Sequence, residues 1–311
     1  MSSAGSRWRS RLGGTVGILL LAGAVLVLRR QLQATTPAAI LADLRALQPY
    51  RIGWAIGMTM LAFASLTVYD LLALRWLRHQ HRYRDVAAAA ATSYAFNHAL
   101  GNPLITGAMV RSRFYPRWGF TAGEIARIVG FGSATSIVGL FPAAAIVCLL
   151  APIALPGWLP LPFTTTLPIG VLGLAGSAAY LWWCATRRRP IRIWRVSLAV
   201  PTFRIARMQL AAGALDWLAP GLVLWAVLPA SLTISFSTLM AAYLLAQALA
   251  NFSHVPGGLA VFEAAFFSVL PNSPPGSLLA ATVAFRGIYL LLPLCVAAAF
   301  LAVRELREAA R

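Results

Sequence analysis

Lysine is absent from this 311-residue chain: all 26 basic residues are arginine, and only eight residues are Asp or Glu. Charged residues make up 11% of the chain, against about 25% in a soluble domain. So few charges cannot coat a water-soluble fold of this size. Cysteine is scarce as well. Cys148, Cys184 and Cys295 all fall inside apolar runs, which excludes a disulfide framework or a paired-cysteine metal site and leaves them as small hydrophobes. The sequence also lacks HExxH, GxSxG and any glycine loop able to cradle phosphates, and so the commonest hydrolase and nucleotide chemistries. The enzyme reading that survives is an intramembrane acid/base or metal site built from His98, His254 and Glu263. A transport role without enzymatic activity, and without a cofactor, is the expectation.

What is abundant is apolar sequence, 59% of all residues. A run of about 20 apolar residues crosses the hydrocarbon core of a bilayer as a helix. Seven such runs are present, at 12–28, 52–74, 125–150, 166–185, 210–228, 236–252 and 277–303. The first follows Arg7, Arg9 and Arg11 and is closed by Arg29-Arg30 with no clear small-x-small cleavage site. It reads as an uncleaved helix rather than a signal peptide. The expected fold is an all-α, polytopic integral membrane protein of a single transmembrane domain.

A net charge of +18 often marks a nucleic-acid binder. Here the arginines sit in short loops between spans, where they set orientation instead. With the N-terminus in the cytoplasm, the loops at 75–84, 111–117 and 187–207 and both termini carry 20 arginines, and the opposite face carries four, Arg29, Arg30, Arg45 and Arg51. The uncharged loops 151–165 and 229–235 fall outside. No nucleic-acid partner is expected, and a homo-oligomer is left open. The bacterial inner membrane is the expected location.

Parity then constrains 86–110. Arginines flank it on both sides, and its middle, Asn97 to Pro103, carries the Gly, Asn and Pro that interrupt a helix. It reads as a re-entrant hairpin. The stretch 236–270, broken at 251–258 (NFSHVPGG) between uncharged flanks, reads as a hairpin from the opposite face. The alternative in each case is one ordinary span plus a surface helix. The hairpins share a pattern, Tyr-x4-Ala-Leu-x-Asn, beginning at Tyr94 and at Tyr243. An inverted-topology repeat follows: 52–150 with hairpin 86–110, then 210–303 with hairpin 236–270, joined by helix 166–185. Broken helices of this kind line polar cavities in transporters.

Few ionisable groups lie in the apolar stretches: Asp70, Glu124, Arg127, Asp216, Glu263 and Arg286, with Arg111 at a hairpin end. A lone charge at mid-bilayer costs about 2.5–3.5 kcal/mol on insertion scales, so such residues face a cavity or pair with one another. Arg111 or Arg286 balancing Glu263 or Asp70 is the purely structural alternative. Asn97, His98, Asn102, Asn251 and His254 sit at the two helix breaks, either capping broken ends or touching a ligand. Gly257-Gly258, one turn before Glu263, permits close backbone approach.

The runs SYAFNHALGNPLITGAMVRSRFY (93–115), WGFTAGEIARIVGF (118–131), VYDLLALRWL (68–77), HVPGGLAVFEA (254–264) and FRGIYLLLPL (285–294) resemble the N-terminal membrane half of the bifunctional phosphatidylglycerol lysyltransferase/flippase family (multiple peptide resistance factor). The resemblance covers roughly residues 50–300. It implies a flippase moving aminoacylated phosphatidylglycerol, or a related amphiphile, between leaflets of the inner membrane. It carries Asp70, Arg111, Arg113, Glu124, Glu263 and Arg286 over as functional positions. Arg111 and Glu263 are expected to approach the headgroup from the two hairpins. Two departures stand out. Ala260 replaces a glycine usual in the family, and the 311 residues hold no aminoacyl-transfer domain. A membrane phospholipid is therefore the expected partner, with a separate aminoacyl-lipid synthase as the alternative one to assist.

The arginine pattern makes a direct prediction. Cysteines introduced one at a time at Arg82 and Arg117 are labelled by a membrane-impermeant thiol reagent from the same, cytoplasmic face, and one introduced in 151–165 is labelled from the other. Labelling of 82 and 117 from opposite faces would rule out the first hairpin.

Overall fold

The computed structural model describes residues 37–100, 103–155, 157, 162–187, 190–193, 196–253, 255, 258 and 260–309. The expected helix over 12–28 lies outside these residues, as do Asn102, His254 and Gly257. The described chain is all-α apart from one small hairpin. Helices run in the order α1 (Pro37–Arg45), α2 (Pro49–Trp76), α3 (Tyr83–Leu100), α4 (Pro103–Arg111), α5 (Ala122–Leu150) and α6 (Leu167–Thr186). After strands β1 (Ile191–Ile193) and β2 (Val196–Leu198) come α7 (Phe203–Ala226), α8 (Phe236–Phe252), α9 (Val261–Val269), α10 (Pro275–Arg286) and α11 (Leu292–Ala309). A π turn, Gly287–Leu291, joins the last two helices. Among the described residues the apolar runs therefore became helices where expected. The exceptions are α1 and the antiparallel β1–β2 pair, which lies in an arginine-rich segment read as a loop. Helix α7 also begins at Phe203 rather than near 210, because Thr202 caps it by accepting from Ile205 N–H at 3.4 Å.

Among the described residues four helical stretches are long and apolar enough to cross a membrane: Pro49–Trp76, Ala122–Leu150, Leu167–Thr186 and Pro275–Arg307. Their outward faces carry exposed Trp54, Met60, Ile146, Leu172, Trp182 and Val296. Such residues would be a liability in water and are at home against lipid.

Helix α7 is the hub, packed between α2 and α5. Against α2 it is antiparallel: Arg51 donates to Trp225 O (3.2 Å) at one end, and Trp76 Nε1 donates to Ala199 O (2.8 Å) near the other. Against α5 it is parallel, with Gln209 donating to Thr135 Oγ1 at 2.7 Å and Trp217 Nε1 to Ser136 O at 2.8 Å. The two backbones nearly touch. A Cβ added to Gly139 would lie 2.3 Å from Gly213 Cα, and one added to Gly213 would lie 2.5 Å from Gly139 Cα. Small residues permit this approach in membranes, where van der Waals contact and hydrogen bonds drive helix association.

Each broken pair leaves one end of this bundle and returns to it. The end of α2 meets the start of α5, where Trp76 packs on Phe131 (5.2 Å between ring centroids) and His79 hydrogen-bonds Glu124 (2.9 Å). The pair α3–α4 lies between those two points in the chain. At the opposite end, Ser231 beyond α7 donates to Ser277 in α10 (3.2 Å), and the pair α8–α9 lies between them. Both pairs fold back on themselves. Pro103 opens α4 at the break, where its missing N–H costs nothing. In the second break Gly258 and Ala260 have φ of 60° and 64°. Positive φ favours glycine, so Ala260 holds a backbone conformation that glycine adopts more readily.

The first pair is fastened to α2 by a buried ion pair. Asp70 is fully buried and Arg111 is 2% exposed. Arg111 Nε donates to Asp70 Oδ2 at 2.8 Å and Nη2 to Oδ1 at 2.7 Å. Tyr115 donates to Oδ2 at 2.5 Å and Tyr94 to Oδ1 at 3.3 Å. The remaining Nη1 donates to Gly107 O at 3.2 Å. The guanidinium lies 4.8 Å from the Tyr94 ring centroid. A bidentate pair with every lone pair engaged is the one arrangement that offsets the desolvation of two charges.

Two predictions follow from packing. In detergent, Gly139→Ala lowers the thermal midpoint by several degrees, whereas Gly130→Ala, on the same helix with nothing within 4 Å of its added Cβ, does not. Arg111→Ala costs about 3–5 kcal/mol because it strands a buried carboxylate. Asp70→Asn combined with Arg111→Gln costs less than Arg111→Ala alone, and thermal unfolding reads both.

Candidate functional site

Between the two breaks lies a cavity of about 590 Å³. It is lined from α2 by Tyr69, from α3 by Tyr94, Asn97 and His98, from α5 by Ser133 and Ser136, and from α7 by Asp216. The second pair adds Tyr243, Gln247, Asn251 and Gly258, and the last span adds Arg286 and Tyr289. Asp216 and Ser136 sit near the middles of their helices, so this polar space lies at mid-depth of the bundle. Its rim includes Ile137 and Phe252, which are 55% and 59% exposed. The cavity thus reaches the flank of the protein halfway along α5.

The expected site residues separate into groups. Asn97, His98, Arg111, Asn251, Gly258 and Arg286 line the cavity. Asn97 accepts from Thr106 Oγ1 at 3.2 Å and so ties the two arms of the first pair. Asn251 accepts from Gln247 at 3.0 Å. The His98 ring lies 6.0 Å from that of Phe63 and 5.6 Å from that of Tyr289. Asp70 and Glu263 stand behind the lining, each holding an arginine that reaches it. Arg286 Nε donates to Glu263 Oε1 at 2.6 Å, while buried Oε2 has no hydrogen-bond partner among the described residues.

Arg111 and Glu263, expected to approach a headgroup from the two hairpins, each have an ionic partner of their own: Arg111 pairs with Asp70, and Glu263 with Arg286. Two further residues lie elsewhere. Arg113 pairs with Glu305 on an exposed surface. Glu124 closes a capping box with Thr121, accepting from Thr121 N at 2.9 Å while Thr121 Oγ1 accepts from Glu124 N at 3.3 Å. Asn102, His254 and Gly257 are outside the described residues.

Asp216 was not among the expected site residues, although it is one of the few acids in an apolar run. Its Oδ2 accepts from Tyr69 at 2.8 Å and from Ser136 at 3.4 Å. Among the described residues it forms no salt bridge, in contrast to Asp70 and Glu263. Tyr94 and Tyr243, which head the two matched hairpin patterns, were also left out, and both line the cavity. The cavity therefore combines a carboxylate, two guanidinium groups, amides and phenols within an apolar body.

The sequence matches the family model described as the lysylphosphatidylglycerol synthase TM region over residues 14–297. It is 31% identical over 270 residues to an uncharacterized protein of Synechocystis sp., covering 86% of this chain and 84% of that protein. It is 28% identical over 246 residues to the inner membrane protein YbhN of Escherichia coli, covering 78% of this chain and 76% of that one. The match to the family model takes in α1 to α10, both broken pairs and every residue of the cavity, and the chain belongs to the family of the lysylphosphatidylglycerol synthase transmembrane region.

Proposed function

We propose that this membrane protein is a lipid transporter, not an enzyme, and that it moves the headgroup of an aminoacylated phosphatidylglycerol or a related amphiphile between leaflets. The observation that carries this reading is the polar cavity at mid-depth with a rim on the lipid-facing flank. Its volume of about 590 Å³ falls in the range of roughly 300–1,000 Å³ common for small-molecule sites. That suits a headgroup, with the acyl chains left in the bilayer. In this reading the two broken pairs, entered from opposite ends, are halves of an inverted-topology repeat, and the arginine-rich end faces the cytoplasm. Arg286 supplies the contact for the phosphodiester, and Asp216 faces the basic part of the headgroup.

The family description names a synthase, which favours one second reading: a membrane subunit that assists a separate lipid synthase. Reconstitution separates the two. Vesicles carrying the purified protein and a trace of acyl-labelled lysyl-phosphatidylglycerol are treated with an impermeant quencher. A transporter exposes the inner-leaflet label within minutes at equal pH on both sides, and a synthase subunit leaves it protected. We expect Glu263→Gln combined with Arg286→Gln, which leaves no lone buried charge, to fold and to slow exposure about tenfold or more, the worth of one charge-assisted contact. A folded double variant that moves lipid at the parental rate makes the pair purely structural.

A further inference from the structure

Three carboxylates lie in or against the cavity, and they differ in one respect. Asp70 holds Arg111 and Glu263 holds Arg286, whereas Asp216 has no cationic partner among the described residues. Its Oδ2 takes both protein donors, Tyr69 and Ser136, so Oδ1 is left to whatever occupies the cavity. An ionised carboxylate at mid-membrane without a counter-ion is costly. A proton removes that cost, and so does a cationic group.

Resting on the transporter reading, we propose that Asp216 is a proton-binding site, and that one proton and one positively charged headgroup occupy it in alternation, so that lipid moves one way as a proton moves the other. The ion pairs support this assignment. Both arginines of the cavity are matched to acids, so a protonated Asp216 leaves the pairs neutral and an ionised one leaves a single negative charge. Four phenols line the cavity with it: Tyr69 on α2, Tyr94 on α3, Tyr243 on α8 and Tyr289 in the π turn. Aromatic faces accept ammonium groups without tying up the carboxylate permanently. On another side, α5 offers the hydroxyl of Ser136. His98 also lines the cavity.

The exchange has a quantitative consequence. An electroneutral one-for-one exchange of a proton for a headgroup of net charge +1 distributes the lipid about tenfold per pH unit, whichever way the protein is inserted. The test uses proteoliposomes with acyl-labelled lysyl-phosphatidylglycerol, a one-unit pH difference clamped by buffer and an ionophore-set zero potential, with protein-free vesicles subtracted. The label is expected to accumulate about tenfold in the leaflet facing the acidic side for the parent, and to stay near one to one for Asp216→Asn. The Asn side chain keeps an acceptor for Tyr69 and Ser136, and a melting curve checks folding. No movement at equal pH would sink the transporter reading itself. Movement at equal pH with an unchanged distribution under the gradient, or a tenfold ratio retained by Asp216→Asn, would each overturn the assignment of the proton to Asp216.

Discussion

A carboxylate and a guanidinium 2.7 Å apart and out of reach of water must satisfy each other, and much of this protein is arranged so that Asp70 and Arg111 can. Asp70 comes from the long helix α2. Arg111 comes from the last residue of α4, after the chain has turned at the first break. The phenols that complete the site come from α3 and from the short 3₁₀ turn Tyr115–Trp118. Four segments are thereby held in one place with no free lone pair at the junction. In a bilayer there is no solvent to relieve an imperfect version of this contact, so the position of the first pair relative to α2 is fixed firmly. With that wall set, α7 lies against α2 and α5 through its small residues, and the cavity is the space the two broken pairs leave between them.

The other two acids show progressively looser arrangements. Glu263 has one oxygen on Arg286 and a buried second oxygen without a described partner. Asp216 has hydroxyls but, among the described residues, no cation. The sequence from saturated, to half-saturated, to unpaired runs from the scaffold into the cavity. This is the order in which one expects charge to pass from holding the fold together to meeting a ligand.

Much of the fold was legible because its governing quantity is local. Run length and apolarity located the helices, and arginine flanks together with Pro103 indicated that 86–110 turns back on itself. The capping box at Thr121–Glu124 was also local, and its T-x-x-E spacing ahead of an apolar run is a helix-start pattern. Weighing Glu124 as a charge in a membrane hid that simpler role. What could not be read was the pairing of distant groups. Asp70 and Arg111 are 41 residues apart, and Tyr69 and Asp216 are 147 apart. With several acids and arginines in similar apolar surroundings, only the packing of α7 between α2 and α5 decides which group meets which. The helix α1 and the β1–β2 pair went unnoticed because neither is long or apolar enough to leave a mark in hydropathy.

The π turn after Arg286 sets the phase of the last span. Leu292 N–H bonds to Gly287 O, five residues back, and Pro293 just beyond has no N–H to continue an α ladder. The turn holds one residue more than an α-helical turn would. Inward positions on α10, such as Leu278, Ala281 and Phe285, continue to Tyr289, and below it the inward side passes through Pro293, Ala297 and Leu301. An unbroken α-helix would have carried Val296 and Phe300 inward instead, and both are exposed. The two halves of this span are thus like two gears keyed to one shaft at different angles: α10 is clocked by its packing on α1, α7 and α9, α11 by its contact with α3. A helical wheel drawn through the whole span would mistake the lipid-facing side for the packed one.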